Sequence, residues 1–378
     1  MVNRTHWQNL IEKAWRSRTV IWLSGVRRAG KTCLCQSLED IEYFDCELPR
    51  VRMMMEDPEG FWEGLKDKKV VLDEVHRLDN PSQLLKIAAD HYPTIRVLAT
   101  GSSTLGASHK FRDTLAGRKT DLWLTPMTWD DLVDFRHVDL KHRFLRGGLP
   151  PFFQSSSLAD RDYQEWMDAY WSKDIQELFR LERRSAFVKL AELLMLQSGG
   201  MFEARSFTQP CGISHQTVLN YLKALEDTYV VHVVRPYSTN RSREIVAAPK
   251  VYGFDTGFIC YYRGWTSLRD KDLGEMWEHF VLNEIHAACG ERTLRYWRDK
   301  QKHEVDFIWT PRGRDPLAIE CKWLASDFSP DNLRIFRQLH LAGHNVVVAH
   351  DVDRSFQRTY GGLTIHFEGL PALLRRLA

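Results

Sequence analysis

Two glycines and a Lys-Thr pair carry the most chemistry in the first hundred residues. Gly25-Val26-Arg27-Arg28-Ala29-Gly30-Lys31-Thr32 has the spacing G-x-x-x-x-G-K-[ST]. The glycines let the backbone wrap, so that successive N–H groups point at phosphate oxygens. Lys31 then reaches the terminal phosphates and the Thr32 hydroxyl serves Mg2+. Gly25 to Cys33 are therefore the expected nucleotide-binding residues, with ATP and Mg2+ the expected cofactors. Val70-Val71-Leu72-Asp73-Glu74 supplies an acidic complement. An apolar strand delivers Asp73 to the metal, and Glu74 is placed to orient a water for attack on the γ-phosphate. Thr100 and Ser102, in Thr100-Gly101-Ser102-Ser103, end the next apolar run and suit a γ-phosphate contact, although an ordinary Gly/Ser turn explains them equally well. Arg118 suits an arginine finger acting on a neighbouring subunit's nucleotide, and a plain surface arginine is an equal reading.

A second set of reactive residues lies near the C-terminus. Tyr296 to Phe307 reads as a hairpin with a basic turn and carries Asp306; Ala318-Ile319-Glu320-Cys321-Lys322 is a short apolar strand carrying E-x-K. Glu320 and Lys322 share one face of such a strand. If the two strands are neighbours, Asp306, Glu320 and Lys322 converge, and Glu278 on the preceding helix completes the cluster. Carboxylates of this kind bind a hard cation, and the lysine positions or deprotonates a water, which is the chemistry of Mg2+-dependent phosphodiester cleavage. E-x-K alone is a weak signal. A degenerate fold kept for binding is the competing reading.

Between these sets, Gly212 to Leu222 has the cadence of a helix-turn-helix. Gly212 supplies the turn, Ser214 the cap, and Val218, Leu222 and Leu225 the buried stripe. A strand from Tyr229, a polar stretch through Arg241 and Arg243, and Lys250-Val251-Tyr252 continue it as a winged helix. This directs His215, Gln216 and Asn220 to a major groove and the wing arginines, Arg241 and Arg243 among them, to phosphates, within a stretch, residues 235–250, where Arg235, Arg241, Arg243 and Lys250 stand against Glu244 for a local excess of +3. Arg298, in the second basic stretch, joins them. A winged helix used only for packing is the alternative.

The elements that must hold these residues follow from apolar patterning. Trp7, Leu10, Ile11, Ala14 and Trp15 have helical spacing. Val20 to Leu23, Ile41 to Phe44, Val70 to Leu72 and Ile95 to Ala99 read as buried strands, with helices over Pro81 to His91 and after Thr104, an alternation that implies a parallel α/β sheet. After Gly147-Gly148-Leu149-Pro150-Pro151 the pattern becomes almost wholly helical to Leu225. Beyond Lys250 a long helix (Leu273 to Ala288) mixes with strands. Three domains are expected, at residues 1–150, 151–250 and 251–378.

Composition fits that picture and excludes others. Across 378 residues, 52 Lys+Arg against 50 Asp+Glu give a formal charge of +2, which rules out an all-over cationic coat but not a local basic surface. No signal peptide or membrane-length apolar run is present, and seven scattered cysteines without a C-x-x-C pair suit a reduced, cytoplasmic protein.

With these residues in view, the chain resembles a family of bacterial and archaeal AAA+-type P-loop ATPases whose C-terminal domain, formerly of unknown function, looks like a PD-(D/E)XK, restriction-endonuclease-like fold. Gly25 to Thr32, Leu72-Asp73-Glu74, Thr100-Gly101-Ser102-Ser103, Ala116-Gly117-Arg118, Gly147-Gly148-Leu149-Pro150, Phe254-Asp255-Thr256-Gly257, Trp277-Glu278, Tyr296-Trp297-Arg298, Glu304-Val305-Asp306-Phe307 and Glu320-Cys321-Lys322 carry the resemblance. Cys321 departs from it, standing where a small aliphatic residue is usual. The resemblance implies an α/β fold: an AAA+-like parallel sheet, a helical and winged-helix region, then a small α/β nuclease-like domain. It also implies ATP hydrolysis, assembly into homo-oligomeric rings and action on DNA. The residues leave two other readings open: a nucleotide-switched DNA-binding regulator or scaffold with a dead nuclease fold, and an ATPase acting on protein partners.

Overall fold

The structure, a computed structural model, describes residues 2–101, 111, 114–179, 181, 183–238, 248–290, 294–311 and 313–377. Ser102, the expected helix after Thr104 for the most part, and the wing arginines Arg241 and Arg243 lie outside the described residues. Two compact units form, each assembled from several stretches of chain. The first comprises Met1–Leu140, Gly148–Arg184 and Lys223–Val230; the second comprises Lys141–Gly147, Ser185–Leu222 and Val231–Ala378. The first unit resumes at Gly148 and runs to Arg184, so residue 150 lies inside it, and residues 250 and 251 lie inside the second unit.

In the first unit, β1 (Val20–Ser24), β2 (Ile41–Asp45), β3 (Lys69–Asp73), β4 (Arg96–Thr100) and β5 (Lys119–Trp123) form a sheet in the order β2-β3-β4-β1-β5. Every pairing is parallel. β1 is buried along its whole length and β3 and β4 nearly so, as befits strands covered on both faces. Trp22, Val70, Leu72, Val97 and Ala99 pack one face against Phe61, Trp62, Leu84 and Leu85. The helix Thr5–Trp15 buries Trp7, Ile11, Ala14 and Trp15, all on one side. Because all strands run the same way, the chain leaves β1, β3 and β4 at one edge. That edge is the customary ligand crevice of open parallel sheets.

The second unit holds a nine-stranded mixed sheet among the described residues. Its strands are β6 (Gly200–Met201), β7 (Val231–Pro236), β8 (Lys250–Gly253), β9 (Arg295–Arg298), β10 (Glu304–Trp309), β11 (Leu317–Lys322), β12 (His344–Ala349), β13 (Phe356–Tyr360) and β14 (Leu363–Glu368). Their order is β13-β14-β12-β11-β10-β9-β7-β8-β6. β9, β10 and β11 form an antiparallel meander, and β11 runs parallel to β12 after the crossover helix Asp331–Leu339. The helix Asp270–Cys289 packs on β11 and ends at Gly290, whose φ of 62° a glycine adopts without steric cost. Among the described residues no helix is long and apolar enough to cross a membrane.

Candidate functional site

The loop from β1 to the helix Lys31–Gln36 needs its glycines for stated reasons. At Gly25, φ is +152° and a Cβ would stand 2.5 Å from the Leu124 carbonyl oxygen; at Gly30, φ is +97°. The loop is clasped from outside its own strand and helix. Arg4 Nη1 donates to the Ala29 carbonyl at 2.8 Å, and Trp166 Nε1 donates to the Arg27 carbonyl at 3.1 Å. Arg27 in turn donates from Nε to Asp174 Oδ2 at 3.2 Å, and Asp174 sits in a π-helical stretch, Trp171–Ile175. Lys31 Nζ folds back on the loop, donating to the carbonyls of Gly25 at 2.9 Å and Val26 at 3.2 Å. Burial lowers the Lys31 pKa, while Glu74, Asp174 and Asp73 pull it the other way.

Asp73 ends β3 with both carboxylate oxygens engaged by hydroxyls. Tyr43, on β2, donates to Oδ2 at 2.7 Å and Thr100 donates to Oδ1. Thr100 Oγ1 also accepts from the Glu74 N–H at 3.1 Å, so one threonine fixes both acidic residues. Burial, then the bond to Asp73, pushes the Tyr43 phenol far above its ordinary value, so that it remains a donor. Glu74 adopts a left-handed backbone, φ 56° and ψ 46°, uncommon for a residue with a side chain. Its carboxylate pairs with His76 Nδ1 at 3.1 Å. Burial opposes its charge, but His76, Lys31 and Arg27 outweigh that and hold its pKa below the usual carboxylate value.

These groups surround a cavity of about 790 Å³ lined by Arg27, Arg28, Gly30, Lys31, Thr32, Cys33, Asp73 and Glu74, and also by Tyr43, His76 and Asp174. The sequence-derived cluster is thus brought together. Thr100 lies behind it, fully buried. Arg118 is half-buried and bound to Asp90, Nε to Oδ1 at 2.6 Å. Loop amide, ammonium, hydroxyl and carboxylate groups in one crevice suit a polyphosphate and a hard cation held by oxygen. Sequence reasoning missed Arg4, Tyr43, His76, Trp166 and Asp174. Only Thr128-x-x-Asp131, a helix-start signal completed in the structure as a capping box, hinted at the partner of Arg4.

In the second unit β10 and β11 are neighbours, which brings Asp306, Glu320 and Lys322 near one another. Lys322 Nζ stands 2.9 Å from Glu320 Oε2 and 4.0 Å from Asp306 Oδ2, and the Cys321 N–H donates to Asp306 Oδ2 at 2.7 Å. Glu278, Asp306 and Lys322 line a second cavity of about 300 Å³. Glu320 is 2% exposed, and its Oε1 is buried with no hydrogen-bond partner among the described residues. Burial and then the charge of Asp306 raise the pKa values of both Glu278 and Glu320. An orphaned carboxylate oxygen beside two further acids is the environment a cation would relieve, so the donor set fits a hard metal. Among the described residues, however, no three His, Cys, Asp or Glu side chains are already drawn together as metal ligands.

Lys250, counted in the sequence with the basic excess of residues 235–250, is 5% exposed, with Nζ against Glu304 and 3.6 Å from Glu278 Oε1. Tyr252 donates to the same Glu278 oxygen at 2.6 Å. Charge in a sequence carries no sign of burial, and here neighbouring carboxylates explain why a lysine is tolerated inside. Arg298 also turns to an acid, Nη1 to Glu304 Oε2 at 3.1 Å. The helices Ala204–Cys211 and His215–Asp227 meet at Gly212 in a left-handed turn, and Ser214 Oγ accepts from the Thr217 N–H at 3.1 Å. His215, Gln216 and Asn220 are exposed, with Gln216 Nε2 donating to Asn220 Oδ1 at 3.0 Å.

Three family models match successive stretches of the chain. Residues 137–269 and 273–366 match two family models described as domains of unknown function, DUF8612 and DUF4143. Over 325 residues the chain is 28% identical to uncharacterized proteins of Mycobacterium tuberculosis and Mycobacterium bovis, covering 82% of this chain and 72% of each relative. A Walker-type ATPase of Pyrococcus abyssi superposes with a TM-score of 0.46 at 16% identity, covering 70% of this chain and 96% of that one. Residues 17–133, which contain the loop, Asp73, Glu74 and Thr100, match the model of the AAA domain family, and over this stretch the chain carries an AAA-type P-loop domain.

Proposed function

We propose that the chain is an ATP-dependent DNA-processing protein. Its AAA domain hydrolyses ATP, its helix-turn-helix and winged region engages DNA, and its C-terminal carboxylate cluster is a restriction-endonuclease-like site acting on phosphodiesters. The observation that carries this reading is the convergence of Lys31, Thr32, Asp73 and Glu74 on one cavity. In hydrolysis, Lys31 leaves the loop carbonyls for the terminal phosphates; Thr32 and Asp73 would hold Mg2+, which would neutralise phosphate charge. Glu74, kept ionised and aimed by His76, orients a water and accepts its proton as the water oxygen bonds to the γ-phosphorus and the bond to ADP breaks. Val2, Arg4, Phe135, Pro150, Pro151 and Gln154 line the same cavity and are the candidates for the base end. Homo-oligomeric, ring-like assembly belongs to this proposal, with Arg118 released from Asp90 to meet a neighbour's nucleotide.

In the second unit, Glu278, Asp306 and Glu320 would hold the cation, and Lys322 would position water at the scissile phosphate. One observation favours a second reading, a DNA-binding switch with a silent nuclease fold: Lys322 lies against Asp306 and Glu320, where a cation would otherwise stand.

ATP turnover tests the first half. Lys31→Ala and Glu74→Gln should each lower it by about 10²-fold or more; unchanged turnover in both variants would sink the reading. For the second half, linear, single-stranded, forked and four-way DNA are incubated with and without ATP and Mg2+. Cleavage by the native protein that disappears in Glu320→Gln supports the nuclease, whereas binding without cleavage in both proteins supports the silent fold.

A further inference from the structure

The cavity beside Glu278, Asp306 and Lys322 has three other features that the carboxylate chemistry does not require. Trp323 follows β11 directly and lines the cavity with a half-buried indole. Three rings brace it. His350 stacks on it at 3.9 Å with planes 9° apart, and Trp277 and Phe144 meet it edge-on at 6.0 Å each. Burial lowers the His350 pKa, favouring the neutral imidazole in that stack. An indole held this firmly presents its π-surface with little ordering cost left to meet.

Gly274 is the second feature. It lies inside the helix Asp270–Cys289 and lines the cavity, where glycine weakens a helix. Close packing does not demand it, because an added Cβ would meet nothing within 4 Å. Its missing side chain leaves open the wall between Lys271 and Glu278, residues that share its helix face. Lys271 is the third feature: it lines the cavity, is exposed, and forms no ion pair among the described residues.

We propose that this cavity is a subsite for an unpaired nucleotide next to the scissile bond. The base stacks on Trp323, its phosphate passes the gap at Gly274, and Lys271 meets that phosphate. A base within a duplex cannot offer its face in this way, so the substrate class is DNA with a single-stranded segment, such as a fork or overhang. The inference rests on the reading of this cluster as a DNA site.

Fluorescence anisotropy of the full chain with blunt duplex and with forked DNA of the same duplex sequence, in Ca2+ to withhold turnover, tests it. The native protein should prefer the fork. Trp323→Leu and Gly274→Leu should each reduce fork affinity roughly tenfold, toward that of the blunt duplex, while Trp323→Phe retains the preference. Gly274→Ala, which adds helix propensity in open space, should raise Tm. A fork preference that survives both Leu substitutions overturns the subsite while leaving the DNA reading intact. No binding of either DNA by the native protein overturns both. Should Trp323→Leu fail to fold, Gly274→Leu decides the outcome, since that position is free of contacts.

Discussion

Arg4 has its whole guanidinium committed inside the first unit. Nε and Nη2 donate to the two oxygens of Asp131 at 2.7 and 2.6 Å, while Nη1 holds the Ala29 carbonyl of the phosphate loop. Asp131 is fully buried and takes further donors from Thr128 and from Trp7 Nε1. Burial opposes its charge, yet Arg4 and Thr128 hold its pKa below the usual value. Removing one partner of such a pair strands the other charge. Arg4→Ala is therefore expected to destabilise the fold by about 3–5 kcal/mol, read by urea denaturation, and to raise the KM for ATP. Arg4→Ala with Asp131→Ala should recover part of the lost stability but not the KM, because the Ala29 carbonyl remains unheld. Little of this was legible beforehand: Arg4 and Asp131 lie 127 positions apart, and Thr128-x-x-Asp131 marks a helix start but not the arginine that meets it. The loop itself was legible because its chemistry needs residues at consecutive positions, so the sequence displays the whole constraint.

At the scale of elements, the strands that carry catalytic candidates were readable as short apolar runs, since both faces of a parallel sheet exclude polar residues. β1, β3 and β4 each end within one or two residues of the expected limits. Pairing order was not readable, because runs of similar composition do not say which lie side by side. Nor was the depth of Lys250, whose strand β8 has all four residues buried. Gly25 shows how an element junction depends on that hidden order. The residue is confined by Leu124, just beyond β5, the strand that flanks β1. Gly25→Ala should force β1 and the segment after β5 apart, costing more than about 1 kcal/mol and abolishing nucleotide binding. Thermal shift with and without ATP checks this: the variant should melt lower and gain nothing from the ligand.

For the molecule as a whole, the net charge of +2 conceals acids and bases kept close together in the interior. The raised pKa values of Glu278 and Glu320 set the sign of one response to pH. A carboxyl whose folded pKa exceeds its unfolded value near 4.3 binds more protons when folded, so stability declines as pH rises from that value through the raised one. With chelator present, Tm should fall between pH 5 and pH 8, and Glu320→Gln should flatten the fall. Mn2+ or Mg2+ should restore Tm most at the upper end, because the cation must displace protons to bind. A pH response identical in the native protein and Glu320→Gln would assign the effect to other groups.

The first unit takes its final segment, Lys223–Val230, from far along the chain. There Tyr229 stacks on Trp123 at 4.8 Å and its hydroxyl accepts from Ser24 Oγ at 3.1 Å, one residue before the phosphate loop. During synthesis, then, the ribosome must deliver the 205 residues that separate Tyr229 from Ser24 before the strand bearing that loop acquires this neighbour. The unit that holds the phosphate loop is thus complete only once this later segment has emerged, and a nascent chain stalled before residue 223 would display nucleotide-binding residues without their completed support.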